Sequence, residues 1–195
     1  MAKLYFHYAA MNAGKSTILL QASHNYRERG MNTLLLTSKH YSGKTAHISS
    51  RIGLSANAEL FADGHNLFDF IKSKHEGEHI HCVFIDEAQF LEAEQVWQLA
   101  RVADRLDIPV MCYGLRTDFQ GKLFPGSAEL LAIADHLREI RTICETGRKA
   151  TMTVRLGPDG KALTSGDQVS IEKSSYLSVC RSRWEELMGR WPQDD

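Results

Sequence analysis

Two short stretches carry residue types that could do phosphate chemistry together. The first is "YAAMNAGKST", Tyr8 to Thr17, which ends in Gly14-Lys15-Ser16. A glycine that lets the backbone come close, a lysine and a hydroxyl in that order form the end of a phosphate-binding loop. The lysine meets the outer phosphates and the hydroxyl meets a magnesium ion. The usual pattern begins with glycine five residues before the second one, and here that place holds Ala9. Alanine serves there if its φ stays negative. The second stretch is "VFIDEAQF", which sets Asp86 and Glu87 side by side at the end of an apolar run. A carboxylate in that place orients magnesium, here together with Ser16, and its neighbour can take a proton from an attacking hydroxyl.

These groups are useful only if the chain places them correctly. A phosphate loop needs a strand before it and a helix directly after it, so that free N–H groups and the positive helix end face the anion. "KLYFHY" reads as the strand. Ser16 to Arg29, with Ile18, Leu19, Ala22 and Tyr26 at helical spacing and Gly30 as the stop, reads as the helix. A second GK, in "SGKT" at 42–45, lacks both neighbours and reads as a plain loop. "TLLL", "IHCVFID" and "IPVMCYG" read as further strands, while "LFDFI" and 92–106 read as helices. Residues 39–57 are polar and resist assignment. The alternation predicts an α/β fold of the P-loop NTPase kind, a parallel sheet flanked by helices, with acids at the strand ends where such sheets place ligands. After Cys144 the pattern turns β-rich around Pro158-Asp159-Gly160, a plausible hairpin turn, and Arg181 to Arg190 reads as a terminal helix with a solvated basic face. The expected division is a nucleotide-binding core over 1–143 and a small second unit over 144–195.

Bulk properties narrow the class. The chain has 195 residues, 43% of them hydrophobic, with 23 basic and 24 acidic side chains. No basic excess points to nucleic acid, and no apolar run nears the ~20 residues of a membrane helix. The N-terminus lacks a signal-peptide pattern, so a cytoplasmic protein is expected, with Cys82, Cys112, Cys144 and Cys180 as thiols or metal ligands. His79 and His81 alternate along a strand and read as surface residues rather than ligands.

The combination of "AMNAGKST", "IDEAQF" and "YGLRTDFQGKLF" resembles the type II thymidine kinases, the small tetrameric cytosolic kind, in their bacterial branch. The resemblance covers nearly the whole chain. It implies ATP with Mg²⁺ held by Ala9, Ala10, Met11, Asn12, Ala13, Gly14, Lys15 and Ser16, with Asp86, Glu87, Ala88 and Gln89 from the second stretch. It implies Glu87 as catalytic base and a thymidine pocket of Met11, Phe90, Leu115, Phe119 and Phe124. Thr153 would help read the base, Tyr176 would pack on it, and Arg51 and Arg155 would assist at phosphate. The implied reaction gives thymidine monophosphate and ADP, in a homotetramer that binds neither nucleic acid nor membrane. Two other readings of the motifs are a nucleic-acid-dependent ATPase, since "DEAQ" resembles a helicase box, and a catalytically weakened nucleotide-binding module.

The chain departs from the family twice. The loop that closes over the base commonly has a Gly-Gly pair before its tyrosine, and here it reads "VSIEKSSY", which leaves base contacts by Ser170 and Ile171 open. The family also implies a structural zinc in a small zinc-ribbon-like unit, held by C-x-C and C-x-x-H pairs. Here those read Cys144-Glu145-Thr146 and Cys180-Arg181-Ser182-Arg183. With only Cys144 and Cys180 in place, weak or no zinc binding is expected, with Arg183 paired instead to Glu145 or Glu172.

Overall fold

The computed structural model describes residues 1–42, 46–168 and 175–190, with the side chains of residues 41 and 42 left out. Its centre is a six-stranded, wholly parallel sheet. The strands are β1 (Leu4–Ala9), β2 (Thr33–Ser38), β5 (Glu59–Phe61), β6 (Cys82–Ile85), β7 (Val110–Leu115) and β8 (His136–Glu139), in the spatial order β5-β2-β6-β7-β1-β8. Parallel strands buried on both faces must be apolar throughout, and all four residues of β6 are buried.

Each face is covered by a different set. On one, α3 (Leu67–Gly77), α4 (Ala93–Leu106) and α5 (Pro125–Ile133) pack Leu67, Ile71, Val96, Leu99, Val102 and Leu130 against Leu4, Phe6, Leu36 and Ile85. On the other, α1 (Lys15–Arg27) and β3 (His47–Ser49), which forms a two-stranded hairpin with β4 (Ser55–Asn57), bring Leu19, Leu20 and Ile48 onto Leu35, Cys82, Phe84 and Tyr113. The helices start where local chemistry dictates. The Asn66 side chain accepts from Asp69 N–H to open α3, a Glu92–Gln95 capping box opens α4, and Pro125 opens α5. A four-residue helix α2 (Lys39–Ser42) follows β2, within the stretch that defied assignment, and the second GK, at residues 43–45, lies outside the described residues.

Beyond β8 come a two-stranded pair, β9 (Thr142–Ile143) with β10 (Lys149–Ala150), and an antiparallel pair, β11 (Met152–Leu156) with β12 (Ser175–Val179). The expected turn is present: Gly157 N–H bonds the Lys161 carbonyl and Gly160 N–H the Gly157 carbonyl. The terminal helix α6 (Arg181–Leu187) is shorter than expected. It is also not simply solvated, because Trp184 and Met188 are buried beneath it with Cys144, Ala150, Val154, Val179 and Cys180 in an apolar cluster separate from the two of the sheet. Among the described residues, no helix is long and apolar enough to cross a membrane.

Candidate active site

All six central strands run the same way, so β1, β2, β6 and β7 end at one edge, and the two motifs leave from there. Ala9 is the last residue of β1, paired with Leu115, and its φ is not positive. The first glycine is therefore dispensable, because the chain is still in strand register where the pattern expects a turn. The turn comes later. Asn12 (φ 60°) and Gly14 (φ 82°) are left-handed, and Gly14 caps α1. Nothing lies within 4 Å of a Cβ built on Gly14, so conformation rather than space calls for glycine there. Lys15 is buried as the first residue of α1.

The carboxylates follow β6. Asp86 is 4% exposed; its Oδ2 accepts from Ser16 Oγ at 3.1 Å, and its Oδ1 has no hydrogen-bond partner. Burial, and next the Glu87 carboxylate, push the Asp86 carboxyl up to about 7, while Lys15 and the Ser16 hydroxyl pull it down. A buried, half-satisfied carboxylate oxygen beside a serine hydroxyl fits a hard divalent cation with oxygen ligands, so these residues suit Mg²⁺ arriving with a nucleotide. Glu87 adopts a left-handed φ of 54°, an uncommon conformation for this residue type that clusters at functional sites. It opens a short 3-10 turn, Ala88–Phe90. The turn is held from two sides. Gln89 donates to Glu87 Oε2 and accepts from Leu115 N–H at 3.0 Å, while a Cβ on Gly126 of α5 would lie 2.6 Å from the Ala88 carbonyl.

Two cavities open at this edge. The larger, about 620 Å³, is lined by the loop residues Met11, Asn12, Gly14, Lys15 and Ser16, by Asp86 and Glu87, and by the β3–β4 hairpin with Arg51. The smaller, about 130 Å³, has walls of Phe90, Leu115, Phe119, Phe124, Thr153 and Tyr176, with Gln89. Met11, Lys15 and Glu87 line both. Phe119 and Phe124 are buried as well as cavity-lining, and Phe124 meets Phe90 edge-on at 5.9 Å. Of the sequence-predicted residues, Ala9, Ala10, Ala13 and Ala88 line neither cavity, while Gln89, assigned to the nucleotide, lines the smaller one.

Arg155 corrects an expectation. It does not line the larger cavity. It is 5% exposed and lies 4.0 Å over the Phe119 ring, behind the smaller one. Register decides this, since Arg155 pairs with Tyr176 across β11–β12, well inside the hairpin. Sequence reading missed Ser178 and Trp184, and expected of Thr153 only a contact with the base. Ser178 donates to the Met11 carbonyl and Thr153 Oγ1 accepts from Met11 N–H at 3.3 Å, so the facing pair Thr153–Ser178 grips the phosphate loop. Trp184 Nε1 donates to the Phe119 carbonyl at 3.0 Å. Alternation from Tyr176 could have pointed to Ser178; no local signal marked Trp184.

The zinc ligand positions hold other chemistry. Cys180 Sγ lies 3.9 Å from Thr146 Oγ1 and 3.4 Å from Ser182 Oγ, and Arg183 pairs with Glu145 and Glu186, each at 2.9 Å. Two thiols with hydroxyls and an engaged guanidinium do not fit a four-coordinate zinc of cysteine and histidine ligands. The Arg183–Glu145 pair is one of the two expected; Glu172, Ser170 and Ile171 lie outside the described residues. His79 and His81 are ring neighbours at 4.5 Å, and His81 Nδ1 accepts from Asn32 N–H. Among the described residues, no group of three or more His, Cys, Asp or Glu is placed to hold a metal.

Comparisons with known proteins show the family. The family model described as thymidine kinase matches residues 2–184. A thymidine kinase of Mesorhizobium japonicum is 67% identical, over 100% of this chain and 97% of that protein. One of Ruegeria pomeroyi is 58% identical over 97% and 96%, and one of Shewanella oneidensis 54% over 96% and 99%. A solved ATPase domain superposes with a TM-score of 0.51 at 15% identity, covering 90% of this chain and 81% of that one, which is likeness of fold alone. Identity of this degree along the full length of several bacterial proteins, on a sheet whose edge carries a phosphate loop, means that the chain belongs to the thymidine kinase family.

Proposed function

We propose a division of labour among these residues for the ATP-dependent phosphorylation of thymidine, which yields thymidine monophosphate and ADP. The observation that carries it is the shared wall: Met11, Lys15 and Glu87 border both cavities, so a phosphate in one and a hydroxyl in the other would meet at Glu87. The larger cavity takes the triphosphate, with the loop N–H groups and Lys15 balancing its charge and Arg51 beside it. Ser16 and Asp86 would hold the magnesium, which supplies charge neutralisation at the phosphate oxygens when bound. The smaller cavity takes the thymine, stacked among Phe90, Phe119, Phe124 and Tyr176 beside Leu115, with Thr153 at its rim. Glu87, held by Gln89, accepts the proton of the 5′-hydroxyl as it attacks.

The separate apolar cluster from Cys144 to Met188 supports reading 144–195 as a distinct unit docked on the core 1–143. The family implies a cytoplasmic homotetramer acting on nucleoside and nucleotide, with neither nucleic acid nor membrane as partner. The test of the assignment is Glu87→Gln. Turnover should fall by ~10²–10⁴ while ATP binding persists, since the general base is lost and the charge-balancing groups remain. Turnover within a few-fold of wild type would place the base elsewhere.

A further inference from the structure

Asp118 is buried, at 4% exposure, yet the expected mechanism gives it nothing to do. Its Oδ1 accepts from Gln120 N–H and Lys122 N–H, each at 2.9 Å, and so shapes the turn between Phe119 and Phe124. One oxygen suffices for that turn. The other, Oδ2, accepts from Gln168 Nε2 at 3.0 Å, fifty residues further along the chain.

Gln168 is the last of three consecutive residues that are each fastened to a different group. The Gly166 carbonyl accepts from Gln120 Nε2 at 2.7 Å, and the Asp167 carbonyl accepts from Arg155 Nη1 at 2.8 Å. The approach is tight. A Cβ on Gly166 would lie 2.5 Å from Arg155 Nη2, and its φ of 134° is a conformation that favours glycine as the segment meets the guanidinium. That guanidinium is the one stacked 4.0 Å over Phe119. The segment therefore packs against Arg155 and Phe119, and both Asp118 and Gln168 line the smaller cavity.

We propose that Asp118 is a positioning residue for the nucleoside: through Gln168 it clasps residues 166–168 as one wall of the thymidine pocket and so sets thymidine affinity rather than the rate of phosphoryl transfer. The inference rests on the reading of the smaller cavity as the thymidine site. A carboxylate is suited to the task because it accepts in two directions at once, and its hydrogen bond to a neutral amide is charge-assisted. A structural turn alone predicts no link between Gln168 and thymidine.

The test is steady-state kinetics on the full chain carrying Gln168→Glu, the pair Asp118→Asn with Gln168→Glu, and Phe119→Ala as a control of the pocket. Gln168→Glu sets two carboxylates against each other. It should raise the thymidine KM about tenfold, as expected for losing one charge-assisted bond, with kcat and the ATP KM within about twofold. In the pair, an asparagine amide donates to the new carboxylate while its oxygen keeps the turn, and the thymidine KM should return to within about threefold of wild type. An unchanged KM in Gln168→Glu, or no recovery in the pair, overturns the clasp. So does a rise in both KM values together with a fall in Tm, which marks a purely structural role. If Phe119→Ala leaves the thymidine KM unchanged, the pocket assignment itself is wrong and the clasp falls with it; if Phe119→Ala raises it and Gln168→Glu does not, the clasp alone falls.

Discussion

Asp86→Asn should make the nucleotide-free protein more stable while abolishing its activity. The Asp86 carboxyl is buried, with Oδ1 unpartnered and the Glu87 carboxylate beside it, and its pKa stands at about 7 against 3.8 for a free side chain. The sign follows from proton counts. Between those two values the folded chain binds more protons than the unfolded one, so this group takes stability away as pH rises from 3.8 to about 7, and the full loss is present above 7. At ~1.4 kcal/mol per pH unit the ceiling is about 4 kcal/mol, and the coupling of Asp86 to the neighbouring carboxylate reduces what this one group contributes. Asparagine removes the charge but leaves one amide donor without an acceptor, which costs about 1–3 kcal/mol. The net gain at pH 8 is then about 1–2 kcal/mol, or roughly 2–8 °C in Tm for a chain of this length. The assay is thermal unfolding in chelator at pH 8 and pH 5, repeated with ATP and Mg²⁺. The gain should shrink at pH 5, and the nucleotide with its metal should stabilise wild type much more than the variant. A variant less stable than wild type at pH 8, or a gain independent of pH, would refute the reasoning that burial of this charge strains the empty site.

Three further outcomes are expected. Gly114→Ala puts a Cβ 2.9 Å from Gln89 N and 3.0 Å from Gln89 Oε1, so the 3-10 turn carrying Glu87 must shift; kcat should drop at least about tenfold alongside a stability loss of about 1–3 kcal/mol, measured by turnover and urea unfolding. His7, stacked 4.5 Å from Tyr113, has its pKa lowered to about 4 by burial first and by Arg138 second, so its contribution is complete above about 6.5 and is lost as pH falls to about 4; His7→Phe should flatten the acid limb of a Tm–pH curve across that window. Chelator-washed protein should carry well under one zinc per chain by mass spectrometry, whereas Thr146→Cys with Arg183→His, which rebuilds the C-x-C and C-x-x-H pairs, should carry about one.

What the sequence determined by itself was the part written in contiguous residues. Gly14-Lys15-Ser16 and Asp86-Glu87 are legible because each motif sits on a strand end whose apolar run and following turn are local signals, and parallel strands deliver such ends to one edge. A partner for Arg183 was legible too, as Glu145 or Glu172, since a cation at that spacing must find a carboxylate, and the fold gives it Glu145. Only the tertiary structure decided how the outer layers meet that edge. Ser178 and Thr153 reach Met11 across 167 and 142 residues, Gln168 reaches Asp118 across 50, and Trp184 supports Phe119 across 65. A single polar or aromatic side chain in a short strand or loop has no periodicity to announce its partner. Arg155 shows the reason most plainly. As a letter it is a cation suited to phosphate, and it is the β11–β12 register and the close approach of Gly166 that turn it instead onto the back of an aromatic ring.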